Sequence, residues 1–340
     1  EGGPVDPRWD AAAKRADDLL REIVATLDLS QDALFVCSDH GQIDQGGHGG
    51  QDSVVLVEPF MLVGAGVRPG HYADVQMVDV APTLSAMLGA AIPASSQGQV
   101  LTEMLDLGEG QLQVLEDRLE QQQGQLLSLY QSAIGRQVAV QSGEDVVAAH
   151  QLALDASIAG RLRAERLPRS LLALALLLIC VAVIFRSRGR DLAWLLAGAL
   201  LYLLLFNLRY AVLDGRTYSL SSVASADELI AYSAITALLA MLGSWLVVAL
   251  GLRVFRRGPR QAGTLVLGLT FLVIFLLSLP VLYSYVLNGV LVSWTLPHMS
   301  SMFLGFISLI QMLLVAVVGL LLAGLTALIA RFVPSSSGAA

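Results

Sequence analysis

The sequence predicts a two-part protein: an α/β outer domain on a helical stalk, followed by an all-α membrane domain of five transmembrane helices. Two observations carry this. The chain has 340 residues, of which 55% are hydrophobic and only 14% charged, against roughly 25% charged in an ordinary soluble domain. The deficit is also confined to one half. Residues 1–166 hold 24 acidic and 10 basic side chains, a net of −14, whereas residues 167–340 hold 4 acidic and 11 basic, a net of +7. An acidic, water-compatible half therefore joins an apolar, mildly basic one. That excludes one uniform soluble globule, a disordered chain and a disulfide scaffold. It also argues against nucleic-acid binding, because the acidic half repels phosphate backbones and the basic residues flank apolar runs. Cys37 ends an apolar run and Cys180 lies inside a long apolar helix; neither belongs to a CxxC or zinc-knuckle spacing.

Five apolar stretches, at 167–185, 192–213, 229–252, 262–287 and 302–332, reach the ~20 residues of helix that a bilayer core requires. The first is the shortest and the last is overlong, so it tilts or extends past the bilayer. Arginine sets the orientation. Arg186, Arg188 and Arg190 separate spans one and two, Arg253, Arg256, Arg257 and Arg260 separate spans three and four, and Arg331 closes the last span. The alternate joins carry only Arg209 and Arg216. The Arg-rich joins and the 333–340 tail are thus expected in the cytoplasm, with residues 1–166 outside it. Arg161, Arg163, Arg166 and Arg169 crowd the outer end of span one against this rule. The spans carry almost no ionisable residues, as an anchor or lipid-facing platform would, whereas a pump needs buried charges. Pro280 is expected to kink span four, and the 294–298 loop to lie at the outer interface.

The N-terminal half has an α/β rhythm over residues 1–100. Asp6 and Pro7 supply an N-cap and a first helical residue, and Trp9, Ala12, Ala16, Leu19, Ile23 and Leu27 then recur at helical spacing. Residues 33–37 read as a buried strand, 54–57 and 59–63 as strands, and 81–88 as a helix. Residues 101–166 read as a stalk of two helices, the first around Leu112, Leu115, Leu119, Leu126 and Tyr130 with an interruption at the Gln-rich stretch 121–125, and the second over 144–166.

Chemistry concentrates just past the first strand, in Ser38-Asp39-His40-Gly41-Gln42-Ile43-Asp44-Gln45-Gly46-Gly47-His48-Gly49-Gly50. Asp39, His40 and His48 are three potential metal ligands within ten residues, at the strand end where open α/β sheets bind ligands. Asp with His suits zinc or manganese. Gly41 lets the chain turn so that neighbouring side chains converge, and the glycines around His48 clear space for a substrate. An ordinary solvated turn is the alternative. A Ser38/His40/Asp44 triad is rejected, because such triads draw on separated elements. His71 and Asp74 read as solvated, Thr83 and Ser85 as packing and capping residues, and His150 as part of the stalk.

The pattern Asp-His-Gly-x-x-Asp-x-Gly-x-His-Gly at 39–49 resembles the late metal-ligand motif of the alkaline phosphatase superfamily, and its spacing is most similar to that of the GPI ethanolamine phosphate transferases. Glu58-Pro59-Phe60, Gly64-Ala65-Gly66-Val67 and Val78-Asp79-Val80-Ala81-Pro82-Thr83-Leu84 extend the resemblance. It implies that residues 1–100 are the C-terminal part of an alkaline-phosphatase-like α/β sandwich holding two divalent metal ions, zinc or manganese. Asp39 and His40 would hold the metal that activates a Thr or Ser nucleophile, and His48 the second metal. It further implies phosphoryl transfer from a phospholipid or lipid-linked phosphate ester, with phosphoethanolamine as the specific group. A phosphodiesterase, phosphatase or sulfatase of the same superfamily is the enzymatic alternative, and a non-catalytic membrane scaffold the other. The family's early Asp, its Asp-x-x-x-Gly-His element and its nucleophile do not precede Asp39, and are expected upstream of Glu1. The 340-residue chain alone is therefore expected to bind divalent metal weakly and to show no turnover. Zinc-dependent hydrolysis of a phosphodiester by the purified chain would overturn that expectation.

Overall fold

The computed structural model describes residues 6–44, 49–50, 52–140, 145–186, 190–223, 225–290 and 297–333. The chain divides into two compact units, one of Ala13–Asp39 and Glu58–Leu167, the other of Glu1–Ala12, His40–Val57 and Pro168–Ala340.

The first helix, α1 (Pro7–Thr26), begins as expected. The backbone N–H of Arg8 donates to Asp6 Oδ1 at 2.9 Å, the N-cap bond that satisfies an orphan donor of the first turn. The Arg8 guanidinium closes on the same carboxylate and holds the Asp6 pKa down at about 2.

In the unit that contains Glu58–Leu167, strands β1 (Ala33–Cys37) and β2 (Phe60–Gly64) pair antiparallel, from Ala33 opposite Gly64 to Cys37 opposite Phe60. Phe35 and Phe60 set their rings 5.2 Å apart across the pair. Among the described residues these two strands are the whole sheet, and β1 is half-exposed rather than buried. The layers of a sandwich, which need several strands with helices on their faces, are not seen among these residues. The expected 54–57 strand is instead a one-turn helix, α2 (Ser53–Leu56). Its β-branched residues favour a strand locally, but Val55 is buried and its carbonyl accepts the Gly41 N–H at 3.0 Å, and tertiary packing overrides such local preferences.

Helix α3 (Val80–Met87) is held by its entry turn. The Asp79 carboxylate accepts the N–H groups of Gln76 at 3.0 Å and Gln99 at 2.8 Å, and the buried Thr83 hydroxyl accepts the Leu101 N–H at 3.0 Å. Both side chains spend their oxygens on backbone, as expected of capping and packing residues. Val100, Leu105, Leu115 and Leu119 form the small core beside them, with Leu62, Met87 and Ile92 against it.

Helix α4 (Glu109–Ile134) runs unbroken through the glutamine stretch. Glutamine is a good helix former, and two of these residues dock the helix. Gln123 donates to the Gly98 carbonyl at 2.9 Å, and Gln122 to the carbonyls of Ala94 and Ser96 at 3.0 and 3.1 Å. Helix α5 (Val146–Arg186) is 41 residues long, so the expected second stalk helix and the first span are one helix. It passes through Pro168, where the boundary between the two units falls. Gly124 lies against His150, and Gln131 reaches Ser157 at 3.3 Å. The constant offset of 26 positions makes α4 and the start of α5 parallel neighbours.

The membrane helices form the larger core, built on Tyr202, Phe206, Tyr210, Met241, Val266, Leu269, Val273, Ile307 and Val315. Four further helices continue the spans: α6 (Arg190–Asn207) with a π-helical extension over Leu208–Leu213, α7 (Ala226–Gly251), α8 (Pro259–Asn288) and α9 (Met299–Ile329). With α5 they make five helices, among the described residues, that are long and apolar enough to cross a membrane. Their large exposed residues, such as Leu200, Leu239, Leu313 and Leu321, suit hydrocarbon. Helix α8 continues through Pro280. Residues 291–296, most of the expected interfacial loop, lie outside the described residues. His298 caps α9, its Nδ1 accepting the Ser301 N–H at 3.3 Å.

Small residues bring the helices to close range, as membrane packing without a hydrophobic drive requires. A Cβ built on Gly319 of α9 would lie 2.2 Å from Thr270 Oγ1 of α8, and one on Gly305 2.9 Å from Ser284 Cβ. Numbers fall along α9 as they rise along α8, so the pair is antiparallel. Gly198 against Val248 and Gly251 against Trp194 align α6 and α7 in the same way. Tyr202 to Gln311 (3.2 Å) and Trp245 to Thr326 (3.0 Å) add interhelical hydrogen bonds, worth about 0.6 kcal/mol each on average. Close packing therefore dominates. The start of α6 and the turn after α7 share one end, tied by a two-pronged bond from Arg257 to Asp191 at 2.6 and 2.9 Å. The Tyr218–Leu220 stretch after α6 and the start of α9 share the other.

Replacing Gly319 by Leu should force α8 and α9 apart at a cost of about 1–3 kcal/mol, read as a lowered melting temperature in detergent. Gly324→Leu, on the same helix with open space around its Cβ position, should leave the melt unchanged.

Candidate metal centre

Strand β1 ends at Cys37, and Ser38 and Asp39 leave its carboxyl end. Asp39 is exposed and His40 half-buried. The boundary between the compact units falls between these two residues. The His40 ring places Nδ1 2.8 Å from the Gly41 carbonyl oxygen. A carbonyl only accepts, so Nδ1 carries the proton. In the neutral ring Nε2 then bears the lone pair, which is the tautomer that a carbonyl hydrogen-bonded to the other ring nitrogen imposes on metal-ligating histidines. This donor chemistry fits a divalent cation. His48 lies outside the described residues, as do Gln45 to Gly47. Among the described residues no group of three His, Cys, Asp or Glu side chains gathers as a metal site.

The loop that presents His40 is closed on itself. The Gly41 N–H binds the Val55 carbonyl, and a Cβ on Gly41 would lie 2.2 Å from the Val54 carbonyl oxygen. Ile43 and Val55 are buried on either side of Gly49, whose φ is +66°. A Cβ at Gly50 would lie 2.0 Å from Ser219 Oγ and 2.9 Å from Ser221 Oγ. Gly50 is therefore seated on the join between α6 and α7, at the end of the bundle away from Asp191 and Arg257. His71 and Asp74 are exposed, as expected of solvated residues. His150 of α5 packs against Gly124 of α4.

Sequence reasoning missed the cluster at this same end. Arg216 donates to Glu228 at 2.6 Å and to the Ser222 carbonyl at 2.9 Å. Its guanidinium lies 4.2 Å from the centre of the Tyr232 ring, and that of Arg209 lies 5.0 Å away. Tyr232 donates to Asp214 at 2.6 Å, Tyr210 to the Thr217 carbonyl at 2.9 Å, and Tyr218 to Asn207. The two arginines are thus matched by two carboxylates and an aromatic face, which makes the cluster an interfacial clamp rather than an anion site. Its only sequence signal was polar residues on both sides of a span boundary. At the join itself, burial pushes the Tyr218 hydroxyl pKa up.

Gly41→Ala should open this loop. The added methyl would meet a backbone carbonyl that cannot move independently. Faster limited proteolysis between residues 40 and 57, with no change in the membrane helices' circular dichroism, is the expected result.

The chain is similar to GPI ethanolamine phosphate transferases over about a third of its length. It is 30% identical to the human GPI ethanolamine phosphate transferase 2 catalytic subunit over 115 residues, 31% of this chain and 12% of that protein. It is 28% identical to the human transferase 3 catalytic subunit over 112 residues, 32% of this chain and 10% of that one. To GPI ethanolamine phosphate transferase 3 of Schizosaccharomyces pombe it is 32% identical over 108 residues, 30% and 12% of the two. The matched stretch thus spans about a tenth of the length of these relatives. No family model matches the chain, and no solved structure matches it significantly.

Proposed function

We propose that the chain is part of a membrane-bound phosphotransferase that moves phosphoethanolamine from a phospholipid to a lipid-linked acceptor outside the cytoplasm. The observation that carries this is the contact of Gly50, ten positions past His40, with the Ser219–Ser221 join of the membrane helices. A site there meets substrates whose reacting groups stand at the membrane surface. The similarity to named ethanolamine phosphate transferases supports the same reading.

Asp39, His40 and His48 are the residues that would hold two divalent ions, zinc or manganese. Such a pair, when bound, stabilises the attacking and leaving oxygens of an in-line phosphoryl displacement. The chain's own part is positional. The Gly41 carbonyl accepts from His40 Nδ1 and so leaves the ring's lone pair on Nε2, and the Gly41–Val55 bond holds the backbone beside it. The residues 1–100 would then contribute to an alkaline-phosphatase-like sandwich.

Orientation follows from charge. The end that carries Arg186, Arg253, Arg256 and Arg257 would face the cytoplasm, with the C-terminus, and the end bearing Gly50, Ser219 and Met299 would face away. Arg169 opposes this by sequence alone. Its guanidinium abuts Gly289 at the C-terminal end of α8, where helix carbonyls attract a cation, so it answers a local field rather than the topology rule.

The test uses the protein expressed from its intact gene, in vesicles with headgroup-labelled phosphatidylethanolamine, with and without a glycolipid acceptor. Acceptor-dependent labelled product is expected. His40→Ala and His48→Ala should each lower it beyond the roughly 10–100-fold that loss of a supporting partner causes. Acceptor-independent release of label would make the protein a hydrolase of the same type, and full activity in His48→Ala would overturn the metal reading.

A further inference from the structure

A cavity of about 180 Å³ lies beside Gly50, between the Tyr218–Leu220 join and the first turns of α9, where Met299, Met302, Phe303 and Phe306 line it. We propose that it receives an acyl chain of the phospholipid that donates its headgroup. This rests on the transferase reading given above and adds to it where the donor is held.

The chemistry of the walls selects the occupant. Among the described residues no charged side chain lines the cavity, so a phosphate, an ammonium group or a sugar would lose most of its hydration there without replacement. Methionine and phenylalanine walls suit a flexible hydrocarbon chain, because the thioether side chain adapts its shape to what it packs against. The volume is on the order of the ~150 Å³ apolar cavities that take up a benzene-sized guest. It therefore admits a length of one chain and not a whole lipid.

Position selects the lipid. Phe306 is 52% exposed and Met302 39% exposed on a helix long and apolar enough to span the bilayer, so the cavity borders the hydrocarbon region and a chain enters it sideways. Its other wall is Gly50, in the same segment as His40. In a glycerophospholipid the phosphodiester stands only a few bonds above the start of the chains. A chain lodged here therefore brings that phosphorus, rather than a distant sugar of a glycolipid acceptor, to the His40 loop. Ser219 lines the cavity beside Gly50, and its hydroxyl would meet the polar glycerol esters of a lipid lodged there.

The test is photolabelling, which does not depend on turnover. The protein from its intact gene is placed in phosphatidylcholine vesicles with a trace of phosphatidylethanolamine or phosphatidylcholine carrying a diazirine on one acyl chain. Adducts are expected at Leu220 and within residues 299–306, at least threefold more with the phosphatidylethanolamine probe. Leu220→Trp and Met302→Trp, which fill the cavity, should each lower that labelling at least threefold. Phe306→Ala, which enlarges it, should retain labelling and so separates occlusion from misfolding. Equal labelling by both probes would show ordinary boundary lipid, labelling elsewhere would show another donor site, and indifference to both tryptophans would show an unused cavity. Each overturns the proposal. Headgroup-selective labelling without transfer in the assay above would sink the transferase reading and leave the lipid site standing. Transfer with an unlabelled cavity would do the reverse.

Discussion

The contact of Gly50 with the Ser219 and Ser221 hydroxyls is the constraint on which the functional architecture depends. A backbone can approach two side-chain oxygens this closely only if it has no side chain of its own. With that approach made, His40–Val57, which follows β1 in sequence, belongs to the same compact unit as the membrane helices. The Gly41 N–H to Val55 carbonyl bond then closes the loop, and the Gly41 carbonyl in turn sets the His40 tautomer. A chain of backbone groups thus runs from the membrane helices to the imidazole.

The membrane helices are organised by the same economy of side chains. Gly305 and Gly319 lie on Ser284 and Thr270, and Gly198 and Gly251 lie under Val248 and Trp194. In hydrocarbon no hydrophobic gain rewards helix association, so contact density has to supply it. Charges are confined to the two ends. One end is pinned by Asp191 and Arg257. At the other, Arg209 and Arg216 are stacked on Tyr232 and neutralised by Asp214 and Glu228, which lets them sit at an interface without acting as a cation patch. The cavity beside Gly50 opens at this second end, where apolar helix starts meet the polar join.

Much of this was legible in the residues, and the failures have identifiable causes. The spans, the Asp6 cap of α1, β1, β2 and α3 all lie where periodicity and capping placed them. The 54–57 strand failed because Val55 is recruited as the lid of the Gly49 turn, a long-range demand that a β-branched run does not announce. The break at 121–125 failed because glutamine was read for its polarity, whereas Gln122 and Gln123 use that polarity to hold the carbonyls of residues 94–98. The stalk and first span merged because a proline removes one hydrogen bond without ending a helix that is otherwise supported on both sides. In the site, Asp39 and His40 were identifiable as ligand types in a glycine-rich segment. The protonation of Nδ1 was not, since it depends on which carbonyl the ring meets.

The sequence by itself determined that this is a membrane protein with a chemically loaded loop, because hydropathy, charge segregation and the Asp-His-Gly pattern are local properties of the chain. Only the tertiary structure decided where that loop goes. Its seat on the α6–α7 join and the apolar cavity at the start of α9 put Gly50 beside residues more than a hundred positions away, and the antiparallel glycine contacts and the arginine clamp join groups from different helices and turns. No local pattern encodes such distances.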